Sequence, residues 1–316
     1  MAYAAGDKIL DDQYIEFTNS SSSPYGYNHF AGVGSGEYGL NQTHIPQIKD
    51  GDKITASQWN TLFTGLDNIA NHTNVSITST SVTSGDTITI RSAIATDLAN
   101  LAAAVAGGST SATAISTAAA GASTNSGTWN STSTIERSVT FADNATMRAY
   151  FNAGGYIRAV ASTSGSTDGD KDTVFSQLGS AIGNLDIKAH STSRGGSGET
   201  LTTNGLSNGF HDLGTGYTSL LKLTSDNSGY TSNTLEISAK LDAAVGSATV
   251  ITIKSVASDP AGDTTYTSPN TSGVPANPNE APAMVLTLTE AYPNDTQGLA
   301  ADIRAASNAQ VSNSQS

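Results

Sequence analysis

The chain contains no cysteine, which excludes disulfides, thiol nucleophiles and every thiolate metal site. Charge is sparse. Only 13% of residues are Asp, Glu, Lys or Arg, against about 25% in an ordinary globular domain. The 14 basic residues are outnumbered by 27 acidic ones, for a net charge of -13. That balance argues against a nucleic-acid surface, because binding phosphates needs clustered Lys and Arg. Aromatics make up 6%. No apolar run approaches the ~20 residues of a membrane span. The segment from Met1 to Asp7 lacks the basic flank and apolar stretch of a signal peptide.

Small residues are abundant instead. Ser and Thr number 84, Ala 42 and Gly 31 among 316 residues. Such a composition leans toward disorder, yet 37% of residues are hydrophobic and they fall in patterned blocks. The chain is therefore expected to fold, with polar, small-residue surfaces.

A short repeat organises the N-terminal part. Gly6-Asp7-Lys8-Ile9 recurs as Gly51-Asp52-Lys53-Ile54 and as Gly85-Asp86-Thr87-Ile88. Eight residues past the first two glycines lie Tyr14 and Trp59; eleven past them lie Phe17 and Leu62. One physical reading is a Gly-Asp turn, an Ile anchor and a following helix; chance reuse of a common turn is the other. After the second copy, Thr55 and Gln58 fit a capping box. Trp59, Leu62, Phe63, Leu66, Ile69 and Ala70 then make one apolar stripe, ending near residues 71–74. Residues 75–90 read as a strand or hairpin. A second helix starts near Arg91, with Ile94, Leu98, Leu101 and Val105 spaced 4, 3, 4, the spacing of a coiled-coil seam. Two readings stand for this seam: a contact between copies, or an Ala-rich helix against the body of its own chain.

Residues 120–134 are nearly all Gly, Ala, Ser, Thr and Asn and suggest a domain boundary. Beyond it, strands are expected at 135–141, 156–161, 185–190, 217–224, 235–241, 248–256 and 284–288. Two short helices carry Met147, Tyr150 and Phe151, and then Val174, Leu178, Ile182 and Leu185. Alternation is clearest in Leu235, Ile237, Ala239 and Leu241. Five of the eight prolines lie between the last two strands, in a loop expected to pack on a neighbour or project outward. After Gly298 a helical turn or two and a frayed tail are expected.

Chemical motifs are weak. Gly34-x-Gly36-x-x-Gly39 matches a dinucleotide fingerprint as text, but no strand precedes it and no apolar helix follows. Asp168, Asp170 and Asp172 could hold a hard cation, yet position twelve of an EF-hand would be Gly179; a solvated helix-capping turn is the stronger reading. His29, His44, His72, His190 and His211 include no helical zinc pair. No Gly-x-Ser-x-Gly elbow joins a strand to a helix. Tyr25, Tyr27, Trp129 and Tyr230 are packing residues or, if exposed, sugar-stacking ones.

Three stretches carry a resemblance: Met1 to Tyr14, Gly51 to Asn60 continuing to Ile69, and Tyr150-Phe-Asn-Ala-Gly-Gly-Tyr-Ile-Arg-Ala159. Together they resemble structural proteins of tailed phages, notably the contractile-tailed phages of marine cyanobacteria. The resemblance implies a virion component of tail, baseplate or fibre type, assembled in the host cytoplasm, and transfers no catalytic residues. The expected fold is α+β, mainly β. A small helical docking and oligomerisation region, 1–125, precedes an antiparallel β-sandwich-like body with two short helices, 127–298, and a tail, 299–316. The expected function is structural and non-enzymatic, with no cofactor and no metal. The expected partners are further copies of itself, a trimer by analogy with fibres, and other tail or baseplate proteins. The candidate assembly residues are Trp59, Phe63, Ile94, Leu98, Leu101 and Val105. A receptor- or glycan-binding fibre tip facing a host surface glycan, and a capsid decoration or neck protein, are the alternatives.

Overall fold

The computed structural model describes residues 11–31, 39–40, 42–79, 81, 83, 91–126, 129, 131–164, 170–260, 282–299 and 301–316. Among them lie six helices: α1 (Asp11–Thr18), α2 (Tyr27–Phe30), α3 (Ala56–Thr73), α4 (Arg91–Ala106), α5 (Asn144–Asn152) and α6 (Asp170–Ile182). Eleven strands accompany them: β1 (Ile115–Asn125), β2 (Thr132–Thr140), β3 (Tyr156–Ser164), β4 (Leu185–Ile187), β5 (Thr192–Arg194), β6 (Thr200–Asn204), β7 (Thr218–Thr224), β8 (Thr234–Leu241), β9 (Val250–Ser258), β10 (Ala283–Pro293) and β11 (Ser307–Gln315). The fold is α+β, mainly β, antiparallel and sandwich-like. No helix among the described residues is long and apolar enough to cross a membrane.

The chain divides into two compact units that interleave in sequence, where composition suggests a single cut near residue 125. The first comprises Met1–Ser116, Ala145–Gly155 and Tyr292–Arg304; the second comprises Thr117–Asn144, Tyr156–Ala291 and Ala305–Ser316.

The first unit is helical. Thr55 and Gln58 form the capping box: the Gln58 amide donates to Thr55 Oγ1 (3.3 Å), and the Thr55 amide donates to Gln58 Oε1 (2.8 Å). Helix α3 ends at Asn74, whose left-handed φ of 57° terminates the ladder. The aromatic positions of the repeat meet: Tyr14 and Phe17 of α1 pack edge-on to Trp59, with ring centroids 5.3 and 6.3 Å apart. The second Gly-Asp copy is a turn, closed by the Asp52 amide on the Lys49 carbonyl (3.0 Å), but its Ile54 is only half-buried. The first and third copies lie outside the described residues. The expected strand or hairpin at 75–90 is absent where those residues are described, at 75–79, 81 and 83. Thr78 and Ser79 give their amides to the buried Asp97 carboxylate of α4 (3.1 and 2.8 Å), and a carboxylate bond takes the place of a ladder. Helix α5 closes at Gly154, φ 87°, where a Cβ would stand 1.9 Å from Thr110 Oγ1.

The second unit holds both sheets. Five strands run in the order β1-β10-β3-β4-β5, and six in the order β11-β2-β9-β8-β7-β6. Leu235, Ile237, Ala239 and Leu241 of β8 are all buried, as their alternation predicts. Helix α6 packs on β3 and also on β7 and β8.

Three sequence expectations fail here. Where it is described, the small-residue stretch 120–134 is largely strand: β1 runs to Asn125 and β2 starts at Thr132. The buried Arg137 of β2 holds β1 in place, donating to the Ala120 carbonyl (3.0 Å) and to Ser123 Oγ (2.6 Å). Gly121 leaves room for that guanidinium, since a Cβ there would lie 2.4 Å from Arg137 Nη2. Nor is the tail frayed. Residues 307–315 form β11, antiparallel to β2, with a bulge between Gln310 and Ser312. No α-helical turn occurs at 299–306 among the described residues. The proline-rich loop, residues 261–281, lies outside them.

Candidate functional site

The six candidate assembly residues sit together in the core of the first unit. Trp59 is 2% exposed, Phe63 5%, Val105 2%, and Ile94, Leu98 and Leu101 are fully buried within a single chain. Their apolar surface faces α1, α3 and α4 of the same molecule. Within one chain the packing follows the second of the two readings, an Ala-rich helix against its own chain. The 4-3-4 spacing fits both arrangements, because both bury one face of a helix.

A groove runs beside α3. It has a volume of about 520 Å³ and is lined by Tyr27, Gln42, His44, Asn60, Thr64 and Asn68, among others. The geometry has local causes. Gly65, in the middle of α3, admits the Tyr27 ring, which a Cβ would meet at 2.6 Å. Tyr27 then donates its hydroxyl to the Thr43 carbonyl (3.2 Å), and burial pushes its pKa up to about 12. Gln42 Nε2 donates to the Gly298 carbonyl (2.8 Å) and closes one wall. The floor is therefore a phenol held neutral, and the rim is hydroxyls and amides. Its hydroxyls and amides offer hydrogen bonds in both directions beside the apolar Ile45 and Leu299, which suits a polar ligand with an apolar face.

Asp11, Asp12 and Asp50 bring carboxylate oxygens within 4.8 Å of one another. The Gly51 amide donates to Asp11 and holds its pKa below the usual range. Asp50 is pushed up by its hydrogen bond to Asp11 and by the negative charges of Asp11 and Asp12. The trio is solvent-facing at Asp12 and Asp50, and we assign it no ion. Of the expected acidic turn, residues 168 and 169 lie outside the described ones. Lys171 of that turn points inward and pairs with Asp259 at 2.7 Å.

The histidines are separate, with one exception. His72, 1% exposed, lies 2.7 Å through Nε2 from the Ala153 carbonyl, and burial lowers its pKa. His190 and His211 stack, with ring centroids 5.1 Å apart and planes 18° off parallel. Their separation in sequence hides the pairing. It is made by Phe210 and His211 returning their amides to the carbonyls of Lys188 and Ala189. Tyr27, Trp129 and Tyr230 are buried, so three of the four candidate sugar-stacking rings are packing residues. Of the glycine fingerprint, residues 34 and 36 lie outside the described residues.

Comparisons with family models, curated proteins and solved structures return no match to this chain.

Proposed function

We propose that this chain is an architectural protein: a structural component of a phage virion, of tail, baseplate or fibre type, which acts by assembling with neighbouring virion proteins and catalyses nothing. One observation supports the architectural half, the way the buried polar side chains are used. Asn28 donates to the Ile45 carbonyl (2.8 Å) and accepts from the Ile45 amide (2.9 Å). The half-buried Asn144 likewise binds the carbonyls of Val245 and Ala248, and the buried Asn294 binds that of Thr113. Asp97 and Arg137 do the same with charge. Each ties one stretch of backbone to another, which stiffens a scaffold. The virion half is supported by the three stretches that resemble tailed-phage structural proteins.

Neighbouring copies, a trimer by the same analogy, then meet through surfaces other than the six buried residues. Low charge keeps the desolvation cost of such contacts small. The test is quantitative mass spectrometry of purified particles, with an antibody locating the chain by electron microscopy. A fixed copy number at the tail supports the reading; absence from purified particles overturns it, and copy numbers in the hundreds point to a capsid decoration protein.

The groove beside α3 favours a second reading, a glycan-binding fibre component. Titration of soluble host polysaccharide into the protein tests it. Binding that Asn68→Ala weakens tenfold or more supports a groove ligand, and no binding at millimolar saccharide removes it.

A further inference from the structure

Three polar side chains are placed at the same end of β8 and β9 in the second unit. Lys171 of α6 places Nζ 2.7 Å from Oδ2 of Asp259, with their side chains 11% and 1% exposed. Asn233, just before β8, is fully buried, and neither Oδ1 nor Nδ2 has a hydrogen-bond partner. The β8–β9 register pairs Thr234 with Ser258. One further antiparallel step sets Asn233 opposite Asp259. Both follow the inward alternation of their strands, in line with Leu235 and Ile237 on β8 and with Ile253 and Ala257 on β9, all buried. Phe175, one helical turn beyond Lys171 on the same face of α6, packs edge-on to Trp129 with centroids 4.9 Å apart. The register thus brings an amine, a carboxylate and an unpartnered carboxamide to one end of the sheet, beside buried apolar residues.

That combination is unusual as a purely structural arrangement. A buried carboxamide with neither donor nor acceptor satisfied is rarely retained. A buried ion pair gains little over apolar packing. Chemically, however, the three groups are the components of an amide exchange. With Nζ 2.7 Å from the carboxylate oxygen, one proton can pass from ammonium to carboxylate, which leaves an amine beside an acid.

We infer that Lys171 and Asn233 are joined by an intramolecular isopeptide bond, formed with Asp259 as the proton carrier. Lys171 Nζ, having given one proton to Asp259, attacks Cγ of Asn233 and forms the Nζ–Cγ bond. A second proton passes from Nζ through Asp259 to Nδ2, the Cγ–Nδ2 bond breaks, and ammonia leaves. The third proton of the original ammonium stays on the new amide nitrogen, and Asp259 ends as a neutral acid able to donate to the new carbonyl. No oxidant, metal or cofactor takes part. The bond ties α6 to the start of β8 and removes both the buried charge pair and the unsatisfied carboxamide.

The test is the intact mass of the full chain, followed by peptide mapping. The expected result is a mass lower than the sequence value by one ammonia, about 17 Da, with a trypsin-resistant peptide linking the segments that carry Lys171 and Asn233. Lys171→Arg and Asn233→Ala should each restore the full sequence mass, and Asp259→Ala should leave the chain unlinked. An unmodified wild-type mass overturns the inference, and this outcome does not depend on any variant folding. Loss of water, about 18 Da, with a link between Lys171 and Asp259 also overturns it, because Asn233 would then not be the acyl donor.

Discussion

Leu101 offers the sharpest test of where the helical seam faces. It is fully buried in α4 within one chain. Truncating a buried leucine to alanine removes its transfer free energy and leaves a cavity, together about 2–5 kcal/mol. With a urea slope of about 2 kcal/mol/M, Leu101→Ala should lower the unfolding midpoint of the first unit by about 1–2.5 M. Leu101→Asp goes further. It buries a carboxylate with no partner, a cost of several kcal/mol added to the lost packing, against a total stability of about 5–15 kcal/mol. The first unit should then fail to fold at all. The two tryptophans report the units separately, Trp59 from the first and Trp129 from the second. In a Trp129→Phe background, fluorescence follows the first unit alone, and light scattering follows the mass. The reasoning is refuted if Leu101→Asp keeps the midpoint of its parent while the assembly falls apart. That outcome would mean Leu101 lies between copies.

Asp97→Ala should cost about 1–3 kcal/mol, since the amides of Thr78 and Ser79 lose a charged acceptor; Asp97→Asn should cost roughly half, and urea melts of the two would show an inverted order if the carboxylate were incidental. Gly65→Ala should destabilise despite alanine's ~1 kcal/mol helix advantage, because the new Cβ meets the Tyr27 ring at 2.6 Å; a raised melting temperature would contradict this. His72 makes stability depend on pH. Its folded pKa is lowered by burial, so its contribution is complete above the unfolded value of about 6.5 and is lost as pH falls from there through the folded value. Urea midpoints of the first unit should drop between pH 7.5 and 5, and His72→Asn should flatten the drop; an unchanged slope in that variant would assign the effect to other groups. Arg137→Met should loosen β1, read as faster amide exchange at residues 117–125, while protection equal to the parent's would remove Arg137 as its anchor.

What the sequence reveals of this molecule follows the locality of the forces. Helix α3 is legible because its cap, its stripe and its stop all lie within one 20-residue window. Strand β8 is legible because one face is wet and the other dry. Strand β1 is not, since Ala and Ser alternate with residues of similar polarity, and its order comes from an arginine on the next strand. Strand β11 carries Ser, Asn and Gln on both faces and exposes nearly all of them, so no burial pattern marks it; its partner β2 lies some 170 residues earlier. The groove is equally non-local, drawing Tyr27, residues 42–45, α3 and Gly298 to one place. Asn233 and Asp259 are ordinary turn residues by sequence, and only the register makes them opposite neighbours.

The edge strands β1 and β11 exchange bonds through their amide side chains. Asn313 donates to the Thr124 carbonyl (3.1 Å), Gln315 to that of Asn125 (3.4 Å), and Asn125 to that of Ser314 (2.9 Å). Each edge thereby occupies carbonyls that an incoming strand would otherwise capture. The carboxamides act as a zip fastener between two sheets whose backbones are not paired with each other. An invading strand would first have to unfasten it, so β1 and β11 are guarded edges, closed to pairing with another chain until those side chains let go.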